Sequence, residues 1–179
     1  MINMKDLPLA KVFHLLEPGP VVLVTTAHNG RTNIMTMSWH MMMEFEPPLL
    51  GCIISARNYT FGLLEASKEC VISIPTAKLA KKVVACGNSS GGSVDKFKKF
   101  GLTPQPGAVV KPPLIAECYA NLECRVVDTR MVESYCLFVL EVIKAWIDPR
   151  IKWARTIHHL GMGEFMIAGK RLKLPSKMR

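Results

Sequence analysis

The sequence predicts a mainly β protein with short helices, arranged as a closed or nearly closed antiparallel barrel. Three observations predict it. Six or so runs rich in β-branched and apolar residues have strand length and are bounded by Gly, Pro, Asn or Ser. Hairpin signals join them, the clearest being His28-Asn29-Gly30, because Asn-Gly tolerates positive φ at low cost. Helical stretches do not alternate regularly with the strands and no GxGxxG follows one, which argues against parallel α/β winding.

Residues 9–16 have the spacing of a short amphipathic helix, stopped by Glu17-Pro-Gly-Pro20. Residues 21–27 form a strand, and the return strand from Arg31 carries residues 33–39. Met41-Met-Met43 suits an adaptable core or an interface. Pro47-Pro48 forces an extended entry to a strand over 49–55. Asn58 or Thr60 then caps a helix running to about Ser67. A strand over 70–74 follows, closed by Pro75, and Thr76 caps a helix through Val84. Gly87 and Ser89-Ser-Gly-Gly-Ser93 read as a flexible loop, and residues 95–100 as a helical turn ending at Gly101. After a Pro/Gly-rich connector over 103–113, two long strands over 117–129 and 135–146 are joined by a hairpin turn. The segment 161–168 adds a last strand or turn before a basic tail, 170–179.

Composition narrows the function. A chain of 179 residues, nearly half of them hydrophobic, can bury one sizeable core without staples. The net charge of +9 is scattered, and no zinc-finger spacing, RNP-like run or long basic helix accompanies it, so it favours attraction of a phosphorylated ligand over nucleic acid. The longest uncharged apolar stretch, around 47–56, is too short to span a bilayer, so no membrane partner is expected. Six cysteines form no CxxC pair, and parity puts Cys118 and Cys124 on one face of a single strand. Without a recognisable signal segment at Met1-Ile-Asn-Met-Lys5, reduced thiols and a cytoplasmic location are the expectation. Adjacent His158 and His159 point apart, which disfavours a shared metal.

Two polar runs carry the chemistry. Asn33-Ile-Met-Thr-Met-Ser-Trp39 strings amide, hydroxyl and indole donors along a strand that otherwise reads as buried, which is costly unless a ligand takes their hydrogen bonds. Strand alternation puts Asn33, Met35, Met37 and Trp39 on one face and Thr36, Ser38 and His40 on the other. At a barrel edge, the Met37 and Ser38 backbone with the Asn33, Thr36 and Ser38 side chains can meet the rim of a flat heterocycle, and Trp39 offers a stiff surface against it. The bland alternative is an ordinary strand with hydroxyls in water and Trp39 in the core. The second run, Ser55-Ala-Arg57-Asn58-Tyr59-Thr60, suits an anion. Arg57 can fork onto phosphate oxygens, Ser55 and Thr60 add hydroxyls, and a helix start contributes unsatisfied amides. Its bland alternative is a plain helix cap beside a solvated arginine. Lys96 can add a point charge from a distal loop, although alone it reads as a surface lysine beside Lys98 and Lys99. One elongated ligand with a planar polar end and a phosphate end satisfies both runs. That ligand is read as FMN.

In order, Asn33-x-x-Thr36-x-Ser38-Trp39, Pro47-Pro48, Ser55-x-Arg57-x-x-Thr60, Asp95-Lys-Phe97 and the segment Gly161-Met-Gly163 to Ala168-Gly-Lys170 resemble the flavin reductase-like family. The resemblance is especially to its flavoredoxin-like members. The resemblance spans Gly19 to about Lys170. It implies an FMN-binding split β-barrel, antiparallel and of Greek-key type, making one domain of the whole chain. It also implies FMN at a homodimer interface, with Asn33, Trp39, Thr60 and Lys96 at flavin-contact positions. Ser55 and Arg57 would join the phosphate site, and Phe165 would approach the ring from the tail. The implied activity is NAD(P)H-dependent flavin reduction, passing electrons to flavin, a metal complex or a protein, or else flavoredoxin-like electron transfer with little direct NAD(P)H activity. Family members often carry histidine where Tyr135 stands, and tyrosine donates a hydrogen bond without titrating near neutrality.

Overall fold

The computed structural model describes residues 4–12 and 19–176. Its elements are β1 (Lys5–Asp6), a 3-10 turn (Leu9–Lys11), β2 (Val22–His28), β3 (Arg31–Met37), β4 (His40–Phe45), β5 (Pro48–Ile53), α1 (Tyr59–Ser67) and β6 (Glu69–Ile74). A second 3-10 turn (Ala77–Leu79) then leads into α2 (Ala80–Gly87), α3 (Lys96–Phe100), β7 (Pro104–Gln105), β8 (Leu114–Ile115) and β9 (Ala120–Asp128). The chain ends in the one-turn α4 (Val132–Tyr135), β10 (Leu137–Ile147), β11 (Ile157–Gly161) and β12 (Glu164–Ile167).

The main sheet runs β3-β2-β6-β9-β10-β5-β4, every pair antiparallel, with β1 added to β10. β5, β10, β9 and β6 lie side by side while α1 carries the chain directly from β5 to β6, the Greek-key arrangement. The two edges of this sheet, β3 and β4, follow one another in sequence through Ser38-Trp39. The sheet therefore curls until its unpaired edges approach at that link, leaving a split instead of a closed ring. The β2–β3 hairpin turns at Asn29 and Gly30, with φ of 48° and 74°, and His28 faces Arg31 across it.

β2 reads as a continuous apolar run because both its faces are buried. Val22 and Val24 enter the barrel interior with Leu50, Ile72, Leu122, Phe138 and Leu140. Val21 and Leu23 face outward under the helices with Ile34, Val83, Cys86 and Phe97. β3 alternates likewise: Met35 and Met37 join the interior while Ile34 joins the helical layer. The 103–113 connector is pinned from inside the sheet. The fully buried Glu123 carboxylate accepts the Ala108, Val109 and Val110 amides at 3.0, 2.7 and 3.0 Å, and the Trp146 indole N–H at 2.7 Å.

Several expectations need correction. The first helix is a 3-10 turn as far as it is described, and residues 13–18 lie outside the described residues. The strand expected over 33–39 stops at Met37, and Ser38-Trp39 turns the corner to the opposite sheet edge. The methionine triplet, suited to core or interface, divides on the edge strand β4: Met42 packs against the barrel core while Met41 and Met43 are exposed. Cys118 and Cys124 do not share a face: β9 begins at Ala120, so Cys118 packs in the helical layer and Cys124 in the barrel. All six cysteines are free thiols. Among the described residues no helix is long and apolar enough to cross a membrane.

Candidate functional site

The split between the sheet edges opens into a cleft of about 630 Å³. Asn33, Thr36, Met37, Ser38, Trp39, Ser55, Arg57, Thr60 and Lys96 all line it, so the two polar runs share one cavity. Phe165 does not. It lines an adjoining cavity of about 300 Å³ that meets the cleft along Thr36, Met37 and Ser38. Trp39 is 70 % exposed, which rules out its role as a core residue.

Asn33 and Thr60 are joined from opposite runs. Asn33 Nδ2 donates to Thr60 Oγ1 at 2.7 Å, and both residues are buried. The other end of the carboxamide is unsatisfied: Asn33 Oδ1 is buried with no hydrogen-bond partner among the described residues. Such an acceptor costs free energy until a donor arrives. A Cβ on Gly91 would collide with that carboxamide and lie 3.1 Å from the Tyr59 ring, so glycine is required where the 87–91 segment passes over Asn33.

Lys96 is not a surface lysine. It is 5 % exposed, and Nζ donates to the Ile34 carbonyl at 2.6 Å and the Cys86 carbonyl at 2.8 Å. These bonds tie edge strand β3 to the end of α2, using a carbonyl that points off the sheet edge. By strand alternation the Thr36 main chain points the same way. Thr36 Oγ1 meanwhile donates to the Val83 carbonyl at 2.7 Å, which committed that hydroxyl to packing α2 against β3. Burial lowers the Lys96 pKa below its ordinary value, against a smaller opposing pull from Cys86. Burial also pushes the Cys86 thiol up to about 11.

At the other run, Asn58 is the N-cap of α1, as one of the two expected caps, yet its side chain makes no capping bond. The helix start is therefore open to an acceptor. Arg57 is solvent-exposed, and among the described residues no carboxylate pairs with it or with Lys96. Among the described residues no Asp, Glu or His lines the cleft. The site thus offers cations, amides and hydroxyls to an anionic, acceptor-rich ligand, without a carboxylate or imidazole for acid–base work.

Sequence reasoning missed one wall. Gly87, Asn88, Ser89 and Ser90 line the cleft with Cys86 and Gly91, where a flexible loop was expected. The paired glycines after Ser89-Ser90 signalled close backbone approach, but nothing local says to what. Elsewhere, His158 is engaged by Gly19 and Thr156, and His159 stacks against Phe165 with centroids 5.2 Å apart. Among the described residues no His/Cys/Asp/Glu group could hold a metal. Tyr135 is exposed and lies outside the cleft.

Known proteins share this architecture. The uncharacterized protein YddH of Escherichia coli (strain K12) is 36 % identical over 172 residues, covering 88 % of this chain and 91 % of that one. The crystal structure of an FMN-binding domain of a flavin reductases-like enzyme from Shewanella baltica OS155 superposes with a TM-score of 0.91 at 28 % identity, covering 97 % of this chain and 98 % of that one. The flavoredoxin of Methanosarcina acetivorans gives a TM-score of 0.79 at 26 % identity, over 88 % and 89 % of the two chains. The flavin reductase like domain matches residues 15–160. With the split barrel and its cleft, that match settles the family: the chain belongs to the flavin reductase-like proteins.

Proposed function

We propose that the cleft binds FMN and that the protein is an FMN-dependent oxidoreductase, an NAD(P)H-dependent flavin reductase serving flavin, metal or protein acceptors. One observation carries the reading: two polar runs 22 positions apart, opening at Asn33 and Ser55, line a single cavity that holds no acid among the described residues. The residues fit the cofactor. Asn33 Oδ1 lacks the donor that a flavin N–H or ribityl hydroxyl would supply, and Gly91 has no side chain where its backbone packs against that carboxamide. Arg57, Ser55 and the uncapped start of α1 would hold the phosphate, with Thr60 orienting Asn33 beside it. The Thr36 and Ser38 main chain with the Asn33 side chain would orient the ring edge, Met37 would line the wall beneath it, and Trp39 would shield it from water. Lys96, fixed by two carbonyls, would hold a positive charge at the cleft wall. Phe165 would approach from the β11–β12 hairpin through the adjoining cavity. Bound FMN would supply acceptance and release of two electrons, and the chain supplies position and electrostatics. The similarity to the FMN-binding Shewanella baltica domain supports this assignment.

A flavoredoxin-like electron carrier is the second reading. Similarity to the Methanosarcina acetivorans flavoredoxin favours it, as does a cleft that has no Asp, Glu or His among the described residues. The absorption spectrum of the fresh protein tests the cofactor: a flavin spectrum is expected, and a colourless protein that FMN cannot reconstitute refutes both readings. Anaerobic bleaching by NADH or NADPH then separates them, since a carrier is reduced only by a redox partner.

A homodimer completes the proposal. Trp39, Met41, Met43 and Ile53 are 70, 52, 47 and 37 % exposed along the β4 edge beside the cleft, an apolar strip that a second copy would cover. Met43→Lys is expected to give a monomer with weakened FMN retention, read by light scattering. A wild-type monomer that retains FMN contradicts the dimer.

A further inference from the structure

Six lysines fall within residues 76–101 against one acid, Asp95, so this stretch carries more than half of the net charge of +9. In sequence they stand in separate clusters, and the fold joins them. α2 and α3 pack on the same outer layer through Val83, Cys86 and Phe97. Lys82 Nζ donates to the Gly101 carbonyl at 2.6 Å, which ties α2 to the end of α3. Lys96 turns inward to the cleft, whereas Lys78, Lys81, Lys98 and Lys99 are exposed. Among the described residues no carboxylate forms an ion pair with any of them. The Asp95 carboxylate is engaged at the start of α3, where it accepts the Lys98 main-chain N–H at 3.1 Å.

This basic face ends at the cleft. Cys86 and Gly87, the last residues of α2, line the cavity, as does Lys96 at the start of α3. Lys82 therefore stands about 8 Å along the helix from the cleft wall, at ~1.5 Å per residue. Like charges gathered without counter-charges repel one another, and a partner of opposite sign relieves that repulsion. Three classes of anionic partner meet such a charge. Single-stranded nucleic acid stacks its bases on open aromatic rings, but here Phe97 is buried and Lys99 Nζ lies over the Phe100 ring, 5.8 Å from its centroid. An anionic membrane takes up basic helices that also present an apolar side, and the apolar sides of α2 and α3 are spent on the sheet. An acidic protein needs neither, because opposite charge alone steers a fast and weak encounter.

We propose that the outer face of α2 and α3 is the docking surface for a small acidic electron-transfer protein, held there beside the cleft. The proposal rests on the flavin assignment of that cleft. Two one-electron partners are each oxidised once for every flavin reduced, with two protons drawn from solvent; withdrawal of electrons runs the same balance backwards.

Lys81→Glu/Lys98→Glu, at exposed positions outside the cleft, tests it against Lys68→Glu/Lys111→Glu, an equal change of net charge at the far end of β6. A small acidic [2Fe–2S] ferredoxin is titrated by calorimetry onto flavin-free and FMN-loaded protein at low salt. Lys81→Glu/Lys98→Glu raises its Kd by about tenfold, the control pair by no more than about threefold, and Lys81→Arg/Lys98→Arg by less than about twofold. The Kd for FMN stays within about twofold throughout, so the cleft is intact. On the loaded protein, flavin reduction by reduced ferredoxin slows in parallel, while reoxidation by neutral p-benzoquinone keeps its rate. Absence of ferredoxin binding by the unsubstituted protein, or equal losses in the two glutamate pairs, overturns the proposal. Tighter binding of a single-stranded oligonucleotide or of phosphatidylserine vesicles, lost with the same lysines, also overturns it. Failure of the unsubstituted protein to take up FMN refutes the flavin assignment instead, while lysine-dependent ferredoxin binding would still uphold the docking surface.

Discussion

Arg57→Ala and Thr60→Val, compared on FMN and riboflavin, dissect the cleft most directly, because the two residues occupy one run and do different work. Arg57 is exposed, unpaired with any acid among the described residues, and touches the site only through its charge and N–H fork. A hydrogen bond to a charged group is worth about 1.5–3 kcal/mol, or roughly 10- to 150-fold in Kd. Solvent screening at an exposed guanidinium takes the low end, so Arg57→Ala weakens FMN about tenfold. Riboflavin, which lacks the phosphate, stays within about twofold. Thr60 is 1 % exposed, and its hydroxyl holds Asn33 Nδ2 at 2.7 Å. Thr60→Val strands that donor beside an acceptor, Oδ1, that is already unsatisfied. The carboxamide loses its orientation, and FMN and riboflavin weaken alike. Quenching of flavin fluorescence, titrated at low and high salt, reads all four affinities. The wild-type FMN affinity falls with salt, and Arg57→Ala flattens that slope. Equal losses of FMN and riboflavin in Arg57→Ala, or a loss confined to FMN in Thr60→Val, refute this division of labour.

Gly91→Ala drives a methyl group into the Asn33 carboxamide. Overpacking of about 1–3 kcal/mol lowers the melting temperature by several degrees, and the displaced carboxamide weakens FMN by roughly tenfold or more, read by calorimetry and titration. Glu123→Gln turns an amide nitrogen toward N–H donors that the carboxylate accepted, and destabilises the fold by about 3 kcal/mol or more in urea unfolding. His40 gives a pH dependence. Burial holds its imidazole below the ordinary pKa of 6.5, against a smaller opposing contribution from the Pro20 carbonyl. The unfolded chain therefore binds the proton first, and this contribution to stability is full above pH 6.5 and declines as pH falls toward the folded pKa. In His40→Gln that part of the acid decline is absent from denaturant midpoints measured across the same range.

What could be read from sequence was local. Asn29-Gly30 announced its turn because its φ values are a property of the dipeptide, and the start of α1 was visible in Asn58-Tyr59-Thr60. The joining of the two polar runs followed from chemistry, since among the described residues no side-chain donor of either run bonds within its own run. The burial of Lys96 was not legible, because it depends on Ile34, 62 residues away, while its neighbours Lys98 and Lys99 are exposed. The 87–91 wall was invisible for the same reason: glycines and serines show that a backbone approaches something, and only the fold shows that Asn33 and Tyr59 lie there. The break after Met37 has no marker in sequence, because Ser38-Trp39 has ordinary strand chemistry and turns only where the sheet runs out.

The missing ladder between β3 and β4 has a consequence for how this scaffold can diversify. Main-chain donors along an unpaired border survive any substitution except proline, so recognition there is largely independent of side-chain identity. Lineages could exchange almost every lining side chain and keep hold of a planar guest, while altering what surrounds it. Specificity is then free to drift at the rim as attachment persists.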